Sequence, residues 1–99
     1  MKGPKDMVEP QIYDLLSPTE KRVLREAYAA DQKGLCFFCK APLTGPPTKE
    51  VVKKRLNMKL FPPDFLKYPV HLQHDHKTGL TEGAVHSKCN GVMWQYHGR

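Results

Sequence analysis

The 99-residue sequence predicts a small α+β domain: an early helix, then a β-hairpin, then a closing helix. Three observations predict it. Residues 17–20 carry a helix-start signature. Two apolar runs, Val70–His76 and Leu80–His86, flank a Lys77-Thr78-Gly79 turn, as strands of a hairpin would. Two pairs of metal-type ligands, Cys36 with Cys39 and His86 with Cys89, share the same two-residue gap.

Composition sets the frame for these elements. Hydrophobic residues make up 39%, with nine prolines and seven glycines, so the core is thin and much of the chain is loop. A domain this small usually needs a disulfide or a metal to hold it. The cysteines number three, an odd count for a disulfide framework. Met1–Pro10 is polar and lacks the apolar centre of a secretory leader. The expected compartment is therefore a reducing cytoplasm, with the cysteines as metal ligands. No run is long enough to span a membrane. The net charge of +6 favours an anionic partner, nucleic acid first.

Taken in order, residues 1–16 read as an N-terminal arm whose Ile12, Tyr13, Leu15 and Leu16 can dock on the domain of residues 17–99. Ser17 caps the first helix, Pro18 suits its first position and Glu20 completes a capping box. That helix should run to about Gln32, with Val23, Leu24, Ala27 and Tyr28 as its inner stripe and Gly34 as its stop. Cys36-Phe37-Phe38-Cys39 is a tight turn of zinc-knuckle type. Thr48 is placed as the cap of a short helix from Lys49 to about Met58. It leads a basic run of Lys49, Lys53, Lys54, Arg55 and Lys59, read either as a solvated face or as a DNA-backbone contact, with Lys21, Arg22 and Arg25 of the first helix as a second candidate for facing phosphates. Leu60–Pro69 is a proline-broken loop whose Phe61, Phe65 and Leu66 pack back on the core. The two strands follow, with a bulge expected at Gly83. The last helix begins at Ser87 or Lys88 and contributes Val92, Met93 and Trp94 to the core.

Cys36, Cys39, His86 and Cys89 supply the four ligands of a closed structural zinc site. They use every cysteine and tie the knuckle to the last helix. His71 and His97 compete with His86 for the fourth place.

His71, His74, Asp75 and His76 lie outside that set. Strand alternation puts His74 and His76 on one face with Leu72, and Gln73 and Asp75 on the other. Asn90, in the first turn of the last helix, is expected near Gln73 and His74. One histidine to take a proton and one oxygen ligand for Mg²⁺ or Mn²⁺ make a minimal centre for phosphodiester hydrolysis.

At CFFC and HLQHDHKTGLTEGAVHSKCN the chain resembles the His-Me finger (ββα-metal) endonucleases. Within them it is most similar to the HNH and recombination endonuclease VII-like enzymes of bacteriophages. The likeness runs in segments from Gly34 to Gly98 and leaves out the loop 41–69. It implies a zinc-stapled ββα-metal domain with an N-terminal helix, cutting or nicking DNA in the host cytoplasm. It further implies His74 as general base, Asn90 as a ligand of the catalytic Mg²⁺ or Mn²⁺, and His76 as a support or phosphate contact. Gln73 stands where the family carries aspartate or histidine as a second metal ligand. Met93 stands where the endonuclease VII-like enzymes carry glutamate, and His86 replaces a cysteine. The competing expectation is a non-catalytic, zinc-stabilised nucleic-acid-binding module. A monomer and a homodimer are both compatible with the sequence.

Overall fold

Residues 8–98 are described by the computed structural model. They form a two-stranded antiparallel sheet and three α-helices. The order is α1 (Pro18–Asp31), α2 (Lys49–Lys53), β1 (Val70–His74), β2 (Thr81–His86) and α3 (Ser87–His97), with 3-10 turns at Tyr13–Leu15 and Met58–Leu60. Among the described residues, no helix is long and apolar enough to cross a membrane. Residues 1–7 of the expected arm, and Arg99, lie outside the described residues.

The start of α1 follows from local chemistry. The Glu20 amide donates to Ser17 Oγ at 3.1 Å, and the Ser17 amide donates to Glu20 Oε1 at 2.8 Å, closing the capping box. Its inner stripe is narrower than expected. Tyr28 is buried, Leu24 is half-buried and Val23 is 57% exposed. The Tyr28 hydroxyl lies 2.9 Å from Thr81 Oγ1, tying α1 to β2. Lys33 and Gly34, at φ +60° and +77°, then turn the chain back.

Gln32 is the seam between α1 and the sheet. Its Nε2 donates to the carbonyls of Leu35 and Ala84, and its Oε1 accepts from the Ala84 amide at 2.8 Å. The Phe37 amide donates to the same Ala84 carbonyl at 2.9 Å. These bonds cover an edge of β2 that would otherwise expose unpaired backbone. A side chain at Gly83 would come within 2.7 Å of Gln32 Oε1 and 2.8 Å of the Phe37 ring. Gly83 thus serves this close approach. The bulge expected there falls one residue earlier: Gln73 pairs with Gly83 and His74 with Thr81, leaving Glu82 extra.

β1 ends at His74 rather than His76 because Asp75 makes the turn. Its Oδ1 accepts from the amides of Lys77 at 2.6 Å and Thr78 at 3.2 Å, and its carbonyl accepts from the Gly79 amide at 2.7 Å. Leu80 lies before β2 and bridges to Ile12. Around that bridge Thr81 donates its amide to the Gln11 carbonyl, and Tyr13 donates its amide to the Gly79 carbonyl, both at 2.8 Å. The described part of the arm is therefore strapped along the hairpin.

α2 stops at Lys53, short of Met58, and Thr48 makes no side-chain cap. Its continuation is captured by α3. The Asn57 amide donates to Gln95 Oε1, while Gln95 Nε2 and the Tyr96 hydroxyl donate to the Arg55 carbonyl at 3.0 and 2.6 Å. The core gathers Tyr28, Leu43, Val51, Leu72, Ala84, Val85, Val92 and Met93 around the cysteines. Trp94 departs from its expected core position: it is 42% exposed. Phe61 meets it edge-on at 5.7 Å, and Phe65 meets His71 edge-on at 4.9 Å, so these two rings do fold the loop back. Leu66 remains exposed.

Candidate functional site

The metal centre forms where the knuckle meets the junction of β2 and α3. Lys40, at φ +71°, closes the knuckle by donating its amide to the Cys36 carbonyl at 3.1 Å. The Phe38 and Cys39 amides point at Cys36 Sγ, at 3.3 and 3.4 Å. His86 is the N-cap of α3, which places Cys89 in the first turn beside it. The ligand atoms of Cys36, Cys39, His86 and Cys89 all lie within 4.8 Å of one another. His86 Nδ1 is 3.5 Å from both the Cys39 and Cys89 sulfurs. A tetrahedral zinc, with its usual bond lengths, sets nitrogen and sulfur ligands roughly 3.5 Å apart. His86 Nε2 lies 2.9 Å from the Pro42 carbonyl, the kind of outer hydrogen bond that fixes a ligating imidazole and leaves Nδ1 for the metal.

The protonation of the thiols fits the same use. A hydrogen bond from Cys89 holds Cys36 far below the ordinary thiol range, at about 4, and that same bond pushes Cys89 up. Two buried sulfurs compete for one negative charge, and a divalent cation relieves the competition by favouring both thiolates. The cluster can therefore hold a structural metal such as zinc. His71 and His97 are not part of it. His97 instead packs against Phe38, with ring centroids 5.8 Å apart.

A separate cleft of about 420 Å³ opens between α1, β1 and α3. His71, His74, His76 and Asn90 line it together with Lys21 and Arg25 of α1. Asn90 meets His71: its Nδ2 donates to His71 Nδ1 at 3.0 Å. Burial, the largest effect, lowers the pKa of His71, and the Arg25 charge lowers it further, so Nδ1 is free to accept. With the amide nitrogen committed, Asn90 Oδ1 is the atom available to a cation. Gln73 is only 1% exposed and is not among the residues lining this cleft. Its Nε2 donates to the His74 carbonyl at 2.8 Å and lies 3.5 Å from Glu82 Oε1, beside the bulge.

His74 is held between rings. Tyr13 stacks on it at 4.1 Å with planes 15° apart, and His76 lies 4.6 Å away, tilted by 60°. Lys21 Nζ sits 4.0 Å from the Tyr13 ring centre on this stack. Burial, then the His76 charge, lowers the His74 pKa, and Lys21 adds to this against the opposing pull of Asp14 and Glu82. The imidazole is therefore neutral near pH 7 and able to accept a proton.

The sequence puts His74 and His76 on one face and Asn90 near Gln73 and His74; His74, His76 and Asn90 do line one cleft, and Gln73 does not. It gave no role in the cleft to Tyr13 or His71. Tyr13 docks the arm as expected, and its ring also stacks on His74. His71 was weighed only for zinc. Lys21 and Arg25, a second candidate for phosphate contact beside the run Lys49–Lys59, do line the cleft, whereas none of that run does. One of that run, Lys54, instead lies over the Tyr96 ring at 5.0 Å. No protein-family model, curated protein or solved structure matches this chain.

Proposed function

We propose that this chain is a divalent-metal-dependent DNA endonuclease of the ββα-metal (His-Me finger) type, stapled by a structural zinc at Cys36, Cys39, His86 and Cys89. One observation carries the proposal: a neutral histidine and an asparagine oxygen share a cleft with two cations. β1, β2 and α3 supply the hairpin-then-helix order, and the motif resemblance at residues 71–90 points the same way.

Each residue then has a chemical task. Lys21 and Arg25 hold the phosphate, and His76 contacts it from the rim. Water attacks phosphorus as its proton passes to the His74 ring. The bridging P–O bond breaks, and the leaving oxygen takes a proton from solvent. Asn90 Oδ1 would hold the Mg²⁺ or Mn²⁺, which supplies charge stabilisation at the phosphate when bound. Gln73, the second ligand implied by the motif, is buried beside the bulge and does not line the cleft, so Asn90 carries the ligand role there.

The ligand assignment is tested by titrating plasmid nicking against Mg²⁺ and Mn²⁺. Asn90→Ala should abolish nicking or raise the metal requirement by more than tenfold, the scale of losing one ligand's support (about 1.4 kcal/mol per decade). Gln73→Asp, away from the cleft, should leave the requirement unchanged. An unchanged metal dependence in Asn90→Ala, or a lowered requirement in Gln73→Asp, contradicts the assignment. The neutral Gln73 favours the alternative of a non-catalytic binding module, which predicts DNA binding with no metal-dependent nicking at all.

A further inference from the structure

The cleft does not end at Asn90. It continues into an aromatic hollow of about 270 Å³, lined by Leu60, Phe61, Phe65, His76, Asn90 and Trp94. Phe65, His76 and Asn90 belong to both spaces. Asn90 and Trp94 are four residues apart on α3, so they sit one above the other on the same helix face, about 5–6 Å apart. Phe61 braces Trp94 edge-on at 5.7 Å and Phe65 braces Phe61 at 4.5 Å, which leaves the partly exposed indole held rather than loose.

The chemistry along this continuous space changes in a fixed order. Lys21 and Arg25 stand at the cationic end, the histidines and Asn90 in the middle, and the rings at the far end. A nucleotide has the same order: anionic phosphate, polar sugar, flat aromatic base. His76 and Asn90 add polar edges beside the hollow, where a base carries its own donors and acceptors. In a duplex, base faces are covered by their neighbours, so only an unstacked base can lie against an indole.

We propose that the Trp94–Phe61 hollow binds an unpaired nucleobase beside the phosphate held in the cleft, so that the favoured ligand is single-stranded or locally unpaired DNA. This rests on the nuclease reading only for the place of the phosphate.

Trp94 is the single tryptophan of the chain, so its fluorescence reports the hollow directly. The zinc-loaded protein is titrated, in chelator-free buffer without Mg²⁺ or Mn²⁺, with a single-stranded oligonucleotide and with the duplex of the same sequence. The single strand should quench Trp94 saturably and the duplex should not. Anisotropy of a labelled oligonucleotide should then show Trp94→Ala and Phe61→Ala binding the single strand roughly five- to a hundredfold more weakly, the span of one base–aromatic stack. Duplex binding should be unchanged, and Trp94→Phe should retain most single-strand affinity. Absent quenching, equal quenching by duplex, or parental single-strand affinity in both alanine variants overturns the proposal. If Trp94→Ala fails to fold, Phe61→Ala and quenching of the parent protein still decide it. Quenching without any metal-dependent nicking would remove the catalytic reading and keep the base site. Nicking without quenching would do the reverse.

Discussion

His74 gains its chemical character from neighbours far away in sequence. Tyr13 covers one face, His76 crowds the other side, and Lys21 stands over Tyr13. All but the carboxylates nearby favour the uncharged ring, and burial dominates. The sign follows. An unfolded histidine takes its proton near pH 6.5 (about the model value), while folded His74 takes it lower. Its contribution to stability is full above about pH 6.5 and declines as pH falls from there toward the folded value. Nicking should accordingly be flat through neutral pH and fall only below about pH 6.5. Tyr13→Ala exposes the ring and should move the His74 midpoint up toward its ordinary value, whereas Tyr13→Phe should leave it in place. Histidine ring NMR on the zinc-loaded protein, free of other divalent metals, measures both. A midpoint unmoved in Tyr13→Ala would show that the stack does not set the protonation of His74. A related dependence on distant partners explains His71. Its identity is plain in the sequence, but its bond to Asn90 depends on strand register and on how α3 packs.

At the scale of elements, what could be read in advance was what neighbouring residues decide. Ser17 and Glu20 bond to each other's amides, so α1 starts as predicted. The two ligand pairs each lie within one turn of chain, so the zinc cluster was legible too. The ends of β1 and α2 were not. Asp75 ends β1 with its own side chain, and Gln95 and Tyr96 hold residues 55–57 some forty positions away. The Gln32–Ala84 seam, 52 residues apart, had no signal in the sequence except Gly83 itself. That seam makes a comparative prediction. A methyl at Gly83 meets a hydrogen-bonded amide and an aromatic ring, whereas one at Gly91 meets chiefly the flexible end of Leu56 at 2.7 Å. Gly83→Ala should cost about 1–3 kcal/mol and Gly91→Ala less. Thermal unfolding should show melting temperatures lower by about 4–8 °C per kcal/mol. Equal losses would mean that the seam yields as easily as a leucine methyl.

For the whole molecule, magnitudes make the Cys36, Cys39, His86 and Cys89 cluster decisive if it holds zinc. A domain of this length has about 5–15 kcal/mol of stability, and structural zinc sites contribute apparent binding energies of about 10–16 kcal/mol. The metal term is as large as the total. Cys36→Ser, or a strong chelator, should therefore unfold the domain as seen by circular dichroism. A folded Cys36→Ser protein without zinc would remove the structural role. A metal held by this cluster would clamp α3 against the hairpin, and so hold Asn90 at the cleft, serving the geometry of a site it does not touch. The central claim is that this cleft cleaves DNA through His74. It is tested most directly by incubating supercoiled plasmid with the zinc-loaded protein and Mg²⁺ or Mn²⁺, side by side with folded, zinc-loaded His74→Ala. We predict metal-dependent nicking by the parent protein and its loss in the variant; equal nicking by both, or none by either, would contradict the claim.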